Sequence, residues 1–169
     1  MKRYIKSAIA DPLFEDDTTI NKLVSDPRTP APVLDRLADS TDVMVQYRVA
    51  KHPNTSIDTL RKLATSLNYY VRQGVAMNKS VPTDLLLMLA KDADDAVRYG
   101  VAQNLKTPVD TLVKLSENPG WRTRLGLAEN INTPVEILEK LCWDVDGDVQ
   151  AAAFHTYFKI TGRPFEYFK

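Results

Sequence analysis

The residues in this chain best suited to chemistry are few. They are Cys142, His52 and His155, the acidic trio Asp144, Asp146 and Asp148, and the arginines Arg72, Arg98 and Arg124. A cysteine beside a histidine forms a nucleophile–base pair when the imidazole takes the thiol proton. Metal binding asks for three or four ligands at recurring spacing, such as HExxH or paired cysteines, and neither pattern is present. The acidic trio alternates as a calcium loop begins but lacks the ligands that complete one, so it reads as a solvated turn with helix caps. Gly74, Gly100 and Gly126 stand 26 residues apart and form no phosphate-cradling loop. Cys142 lies in a column of small residues and reads as a buried structural thiol. The sequence therefore predicts no catalysis, no cofactor and no metal.

The elements that position these residues follow from a strict period. Leu34, Leu60, Leu86, Leu112 and Leu138 are each 26 residues apart, as are Leu37, Leu63, Leu89, Leu115 and Leu141. A small-residue column follows (Ala38, Ala64, Ala90, Ser116, Cys142), and another runs Ala50, Ala76, Ala102, Ala128 and Phe154. Five units result, 26–51, 52–77, 78–103, 104–129 and 130–155, without insertion or deletion. Each unit predicts two short helices. Helix A opens at Thr107-Pro108 or Thr133-Pro134, with Thr as N-cap and Pro at the first helical position, and Glu136 completes a capping box. Helix B starts after Asp42, Asn68, Asp94, Gly120 or Asp146. It carries valines four apart and ends at Asn78, Asn104 or Asn130, where asparagine suits a left-handed closing residue. Its shortness leaves α and 3₁₀ geometry both open. The glycines inside segment B predict close approach of a neighbouring backbone.

Two such helices cannot hide their own apolar face, so stacking must bury it. At about 1.5–3 kcal/mol for each buried aliphatic side chain, the leucine columns suffice to drive this. The expected fold is an all-α solenoid in one domain, 1–169: an N-terminal cap over 1–25, five repeats over 26–155 and an aromatic C-terminal cap over 156–169. Leu23-Val24 aligns one period before Val49-Ala50 and predicts a degenerate B helix; Phe165, Tyr167 and Phe168 are expected to fold over the last repeat.

Three features bear on partners. The 22 basic and 22 acidic residues cancel, which argues against general nucleic-acid or membrane-surface binding. No apolar run approaches the roughly 20 residues of a membrane span. The basic start, Met1 to Lys6, makes a poor signal peptide, because Asp11 and Glu15-Asp16-Asp17 arrive before any long apolar region. A cytoplasmic location is expected. The arginine column reads either as a stripe for an anionic partner or as a ladder, Arg98 reaching Asp94 or the next turn; the ladder is preferred. Variable columns in segment B hold Tyr47 and Tyr99, and Tyr69 and Trp121, with Tyr70 alongside. The candidate partner-binding set is Tyr47, Tyr69, Tyr70, Arg72, Arg98, Tyr99, Trp121 and Arg124. The expected function is a non-catalytic scaffold that binds a protein or peptide along one face. The alternative is a nucleic-acid-binding module that uses the arginines and aromatics.

The unit reads N-x-x-T-P-x-x-x-L-x-x-L-A, an acidic turn, then V-R-x-G-V-A-x-N. Asn104 to Pro108, Leu112, Leu115 and Arg124 to Ala128 display it. This resembles the leucine-rich repeat variant family, a bacterial repeat within the HEAT-like and armadillo-like group, over 130 of the 169 residues. The resemblance implies a right-handed superhelix of alternating helices and little about activity. Some members of that family carry a cysteine-rich iron–sulfur segment, for which one cysteine is too few.

Overall fold

A computed structural model describes residues 16–117 and 120–165. Among these the chain is all-helical, with eleven helices and no strand. They are α1 (Asp17–Ser25), α2 (Ala31–Leu37), α3 (Val43–Lys51), α4 (Ile57–Leu63), α5 (Tyr69–Ala76), α6 (Thr83–Leu89), α7 (Asp95–Gln103), α8 (Val109–Leu115), α9 (Trp121–Glu129), α10 (Val135–Leu141) and α11 (Gly147–Thr161). The even-numbered helices each span 7 residues and start 26 residues apart. The odd-numbered ones are longer, share the 26-residue spacing and are α-helical, which resolves the choice against 3₁₀ geometry. α1 lies one period before α3, at the place of the degenerate B helix; residues 1–15 lie outside the described residues.

The chain divides into two compact units, Met1–Pro82 and Thr83–Lys169. In the first, α3 packs between α1 and α5, braced by α2 and α4. In the second, α9 packs between α7 and α11, braced by α6, α8 and α10. The leucine columns form the cores: Leu34, Leu60, Leu86, Leu112 and Leu138 are fully excluded from solvent. Gly74 and Gly126 act as expected. A Cβ on Gly74 would lie 3.0 Å from the Tyr47 carbonyl oxygen and from the Ala50 Cβ; on Gly126 it would lie 2.9 Å from the Tyr99 oxygen and 3.0 Å from the Ala102 Cβ. Only hydrogen fits, so each glycine seats the long helix one period earlier.

Two sequence expectations are corrected. Thr107 and Thr133 do not cap the helices that follow them. The first residues outside α8 and α10 are Pro108 and Pro134, with no side-chain cap. The threonine hydroxyls turn back instead: Thr29, Thr55, Thr107 and Thr133 donate to the carbonyls of Leu23, Val49, Val101 and Leu127, at 2.5–2.7 Å. Those carbonyls lie at the end of the preceding long helix; Val49, Val101 and Leu127 already accept the N–H of His52, Asn104 and Asn130, and their second lone pair serves the buried hydroxyl, which needs an acceptor. The Thr133–Glu136 capping box is likewise absent, and Glu136 is exposed.

The asparagines are not left-handed either; among the described residues only Gly162 has positive φ. Their role is a bridge. Asn78 donates its amide to the carbonyls of Ala50 (2.6 Å) and His52 (2.9 Å) and accepts from the Ser80 N–H (2.7 Å). Asn130 repeats this on Ala102 (2.6 Å), Asn104 (3.3 Å) and the Asn132 N–H (2.9 Å). His52 occupies the same column and does the same work. Its Nδ1 accepts from the Asn54 N–H (3.2 Å), which leaves Nε2 to donate to the Asp26 carbonyl (2.8 Å). An amide or neutral imidazole carries both a donor and an acceptor, and this column requires both.

At the C-terminal end, α11 closes on Gly162 (φ 67°). Phe165 then packs against Trp143, Phe154 and Tyr157, with ring centroids 5.8, 5.6 and 5.4 Å away. Tyr167 and Phe168 lie outside the described residues.

Candidate functional site

In Met1–Pro82, the Tyr47 ring rests on Gly74, with its edge atom 3.0 Å from where a Cβ would stand. Tyr70 meets Tyr47 edge-on (6.2 Å, 89°), and Tyr69 lies 4.5 Å from Tyr70. Lys51 places its ammonium 5.3 Å from the Tyr47 ring centre. Tyr69 and Tyr70 remain 37% and 46% exposed, whereas Tyr47 is half-buried. Of the three, Tyr47 supports the helix stack and the other two present aromatic surface.

In Thr83–Lys169, Tyr99 rests on Gly126 in the same way. Its hydroxyl donates to Glu129 (3.2 Å), and the Gln103 amide donates to both Tyr99 (3.0 Å) and Glu129 (2.9 Å). Trp121 is 44% exposed, with the Arg122 guanidinium 4.8 Å from its ring centre. The position one period before Trp121 is Asp95, which sequence inspection leaves as an unremarkable member of a variable column. Its carboxylate accepts from the Arg122 N–H (3.1 Å) and the Thr123 hydroxyl (2.5 Å). It thereby caps α9, whose own N-cap residue, Gly120, has no side chain to do so. A Cβ on Gly120 would stand 1.9 Å from the Asp95 carboxylate.

The three arginines are engaged by the fold. Arg72 donates to the carbonyls of Ser66 (2.8 Å) and Leu67 (3.2 Å). Arg98 donates to Asp92 (2.6 Å) and Ala93 (2.9 Å) and meets Asp95 at 3.3 Å. It does not reach for Asp94, because that carboxylate caps α7 through the Ala96 N–H (2.8 Å). Gln46 ends the column in the same manner, on the Ser40 carbonyl (2.8 Å). Arg124 makes an inter-turn contact: Nε and Nη2 donate to the two oxygens of Asp144 (2.6 and 3.0 Å). Burial works against ionisation of Asp144, but hydrogen bonds from Arg124 and from backbone N–H groups outweigh it and hold its carboxyl below the usual range. The Asp144 hydrogen bond, against burial, raises the guanidinium of Arg124 in turn. The Asp144 side chain is 7% exposed, so the acidic turn is not simply solvated. Asp146 caps α11, as expected.

The nucleophile–base pair is not assembled. The Cys142 thiol is fully buried, and that burial pushes it up to about 11. His52 has both ring nitrogens in the bridge described above. Among the described residues no group of three His, Cys, Asp or Glu side chains is placed to hold a metal ion, and no helix is long and apolar enough to cross a membrane. No protein-family model matches the sequence, and no curated protein is significantly similar to it.

Proposed function

We propose that the chain is a right-handed α-solenoid of five repeats, of the leucine-rich repeat variant kind, working as a non-catalytic cytoplasmic scaffold for a protein or peptide partner. One observation carries the binding reading. Tyr69, Tyr70 and Trp121 expose large rings at the starts of α5 and α9, whose Val71, Gly74, Val75 and Ala76, and Thr123, Gly126, Leu127 and Ala128, are buried. Rigid amphipathic rings of this kind are favoured anchors at interfaces. The 26-residue recurrence of helix starts, glycine seats and asparagine bridges supports the solenoid. The nucleic-acid alternative loses its main support, since the donors of Arg72, Arg98 and Arg124 already hold carbonyls and carboxylates within the fold.

The test is quantitative affinity purification from native lysate, comparing wild type with Tyr69→Ala, Tyr70→Ala and Trp121→Ala. A partner enriched by wild type and lost from the variants supports the reading. Identical recovery from all forms refutes a role for these rings.

A further inference from the structure

The glycine column fails at one position of Met1–Pro82, and a cleft opens there. Where α5 carries Gly74, α3 carries Arg48. An arginine cannot let a neighbouring backbone come to contact, and α1 packs on α3 more loosely than α3 packs on α5. Arg48 instead reaches across to the Asn21 side-chain oxygen at 2.5 Å. Between the two helices lies a cleft of about 460 Å³, lined by Val24, Pro27, Tyr47, Arg48, Lys51 and Pro53 among others.

Among the described residues the lining holds the cations Arg48 and Lys51 and no carboxylate. The nearest acid along the chain, Asp26, is occupied by Arg28, whose Nε and Nη2 meet its two oxygens at 3.0 and 2.9 Å. Lys51 lies over the Tyr47 ring, and Arg48 contacts a neutral amide. The cleft therefore offers two cations beside an aromatic and two proline rings. We propose that it binds an acidic segment of a partner protein. Carboxylates of that segment meet Arg48 and Lys51, and an apolar side chain lies against Tyr47, Pro27 and Pro53. This rests on the reading of the chain as a peptide-binding scaffold and says which end of it carries the charge selectivity.

The charge pattern favours a peptide over a nucleic acid. The positions equivalent to Lys51 are Met77, Gln103 and Glu129. The cationic character thus stops where a phosphate backbone would need it to continue. The chain's own first 15 residues hold Lys2, Arg3 and Lys6 against Asp11 and Glu15 and are poorly matched to a cationic cleft.

The experiment is fluorescence anisotropy on the full chain with a labelled dodecapeptide of six glutamates and two leucines in a Gly/Ser background. A counterpart with lysine in place of glutamate and a dodecathymidylate serve as competitor classes. The glutamate peptide is expected to bind, the lysine peptide not. The double variant Arg48→Glu/Lys51→Glu is expected to weaken the glutamate peptide at least tenfold and to gain affinity for the lysine peptide. Both residues are exposed, and circular dichroism with urea unfolding confirms that the variant folds. Arg48→Gln, which keeps the side chain's length and removes its charge, is expected to reduce binding of the glutamate peptide. No binding of the glutamate peptide up to about 1 mM, unchanged affinity in the double variant, or tighter binding of the oligonucleotide each overturns the proposal. Retention of the native partner's dependence on Tyr69 and Trp121 in those cases leaves the scaffold reading intact, so the two failures are distinguishable.

Discussion

The α3–α5 pair and the α7–α9 pair lie two periods apart in sequence and can be compared residue by residue. In both, a tyrosine covers a glycine one period later: Tyr47 on Gly74, and Tyr99 on Gly126. Around that shared seat the chemistry diverges. Tyr47 has Lys51 and the Tyr69–Tyr70 pair beside it, whereas Tyr99 is bound by Gln103 and Glu129, with Trp121 and Arg122 in place of the two tyrosines. The capping differs too. Asn68 caps α5 from its own turn through the Tyr70 N–H (2.9 Å), while α9 is capped by Asp95, whose counterpart in the first pair is Val43. Composition follows: Met1–Pro82 carries 12 basic and 9 acidic residues, Thr83–Lys169 carries 10 and 13. A fixed backbone register lets a required polar group move from one period to the next, which leaves surface positions free to differ.

The seat itself should give the largest effect. Gly126→Val places atoms where Tyr99 and Ala102 already sit and is expected to cost about 3 kcal/mol in urea unfolding. Gly147→Ala, with nothing within 4 Å of the new methyl, should instead stabilise by about 0.4–1 kcal/mol. A cost at Gly147 as large as at Gly126 would mean that helix geometry, and not the seat, explains the glycines.

Next is the Arg124–Asp144 pair of Thr83–Lys169. Arg124→Met leaves a mostly buried carboxylate unpaired. We expect a loss of about 2–3 kcal/mol, less than the 3–5 of a fully buried pair because Arg124 keeps some solvent. The folded Asp144 ionises below its unfolded value near 4. Its stabilisation is therefore present above that value and is lost as pH falls through the depressed one. Asp144→Asn should flatten this part of the acid limb, below the unfolded carboxyl value, as measured by denaturant midpoints.

The bridging column holds His52 and Asn78 in Met1–Pro82 and Asn104 and Asn130 in Thr83–Lys169. Asn130→Leu removes the amide donor from the Ala102 and Asn104 carbonyls and the acceptor from the Asn132 N–H, and should cost about 1–3 kcal/mol. His52→Asn keeps one donor and one acceptor in place and should cost clearly less; equal losses would show that His52 is not acting as an asparagine substitute.

The displaced cap offers a double-mutant cycle. Asp95→Ala should destabilise by about 1–2 kcal/mol. Gly120→Asn should harm the wild type, where it meets the Asp95 carboxylate, yet rescue Asp95→Ala by rebuilding the cap that Asn68 provides in the first pair. Additive effects would break that equivalence. Smallest of all, Tyr69→Ala and Trp121→Ala should each change stability by no more than about 0.5 kcal/mol. Their effect belongs to partner recovery, and a large loss of stability would return both rings to the core.

Much of the frame was legible in one sequence. The leucine columns, the glycine seats and the caps at Asp42, Asn68, Asp94 and Asp146 follow from spacing and from local side-chain chemistry acting within three residues. Other assignments failed for an equally physical reason. Thr107 was expected to cap forwards and bonds backwards, because packing buries its hydroxyl beside the Val101 carbonyl six residues earlier. Asn78 was expected to bend the chain and instead bridges carbonyls 26 and 28 residues away. His52 stands in the same column as the asparagines, and that spacing was the available signal for its role. Nothing local marks Asp95 as the cap of a helix that begins 26 residues later.

By itself, then, the sequence determined the period, the helix boundaries and the buried face. These depend on apolar spacing and on caps that reach only to adjacent turns. The tertiary structure decided what the polar residues are for. A hydroxyl, amide, imidazole or guanidinium takes whichever unsatisfied partner packing brings to it, and here many of those partners lie a full period away. The same rule governs Arg48. In the sequence it is one departure from a glycine column; in the fold it reaches from α3 to Asn21 of α1 and lines the cleft beside them.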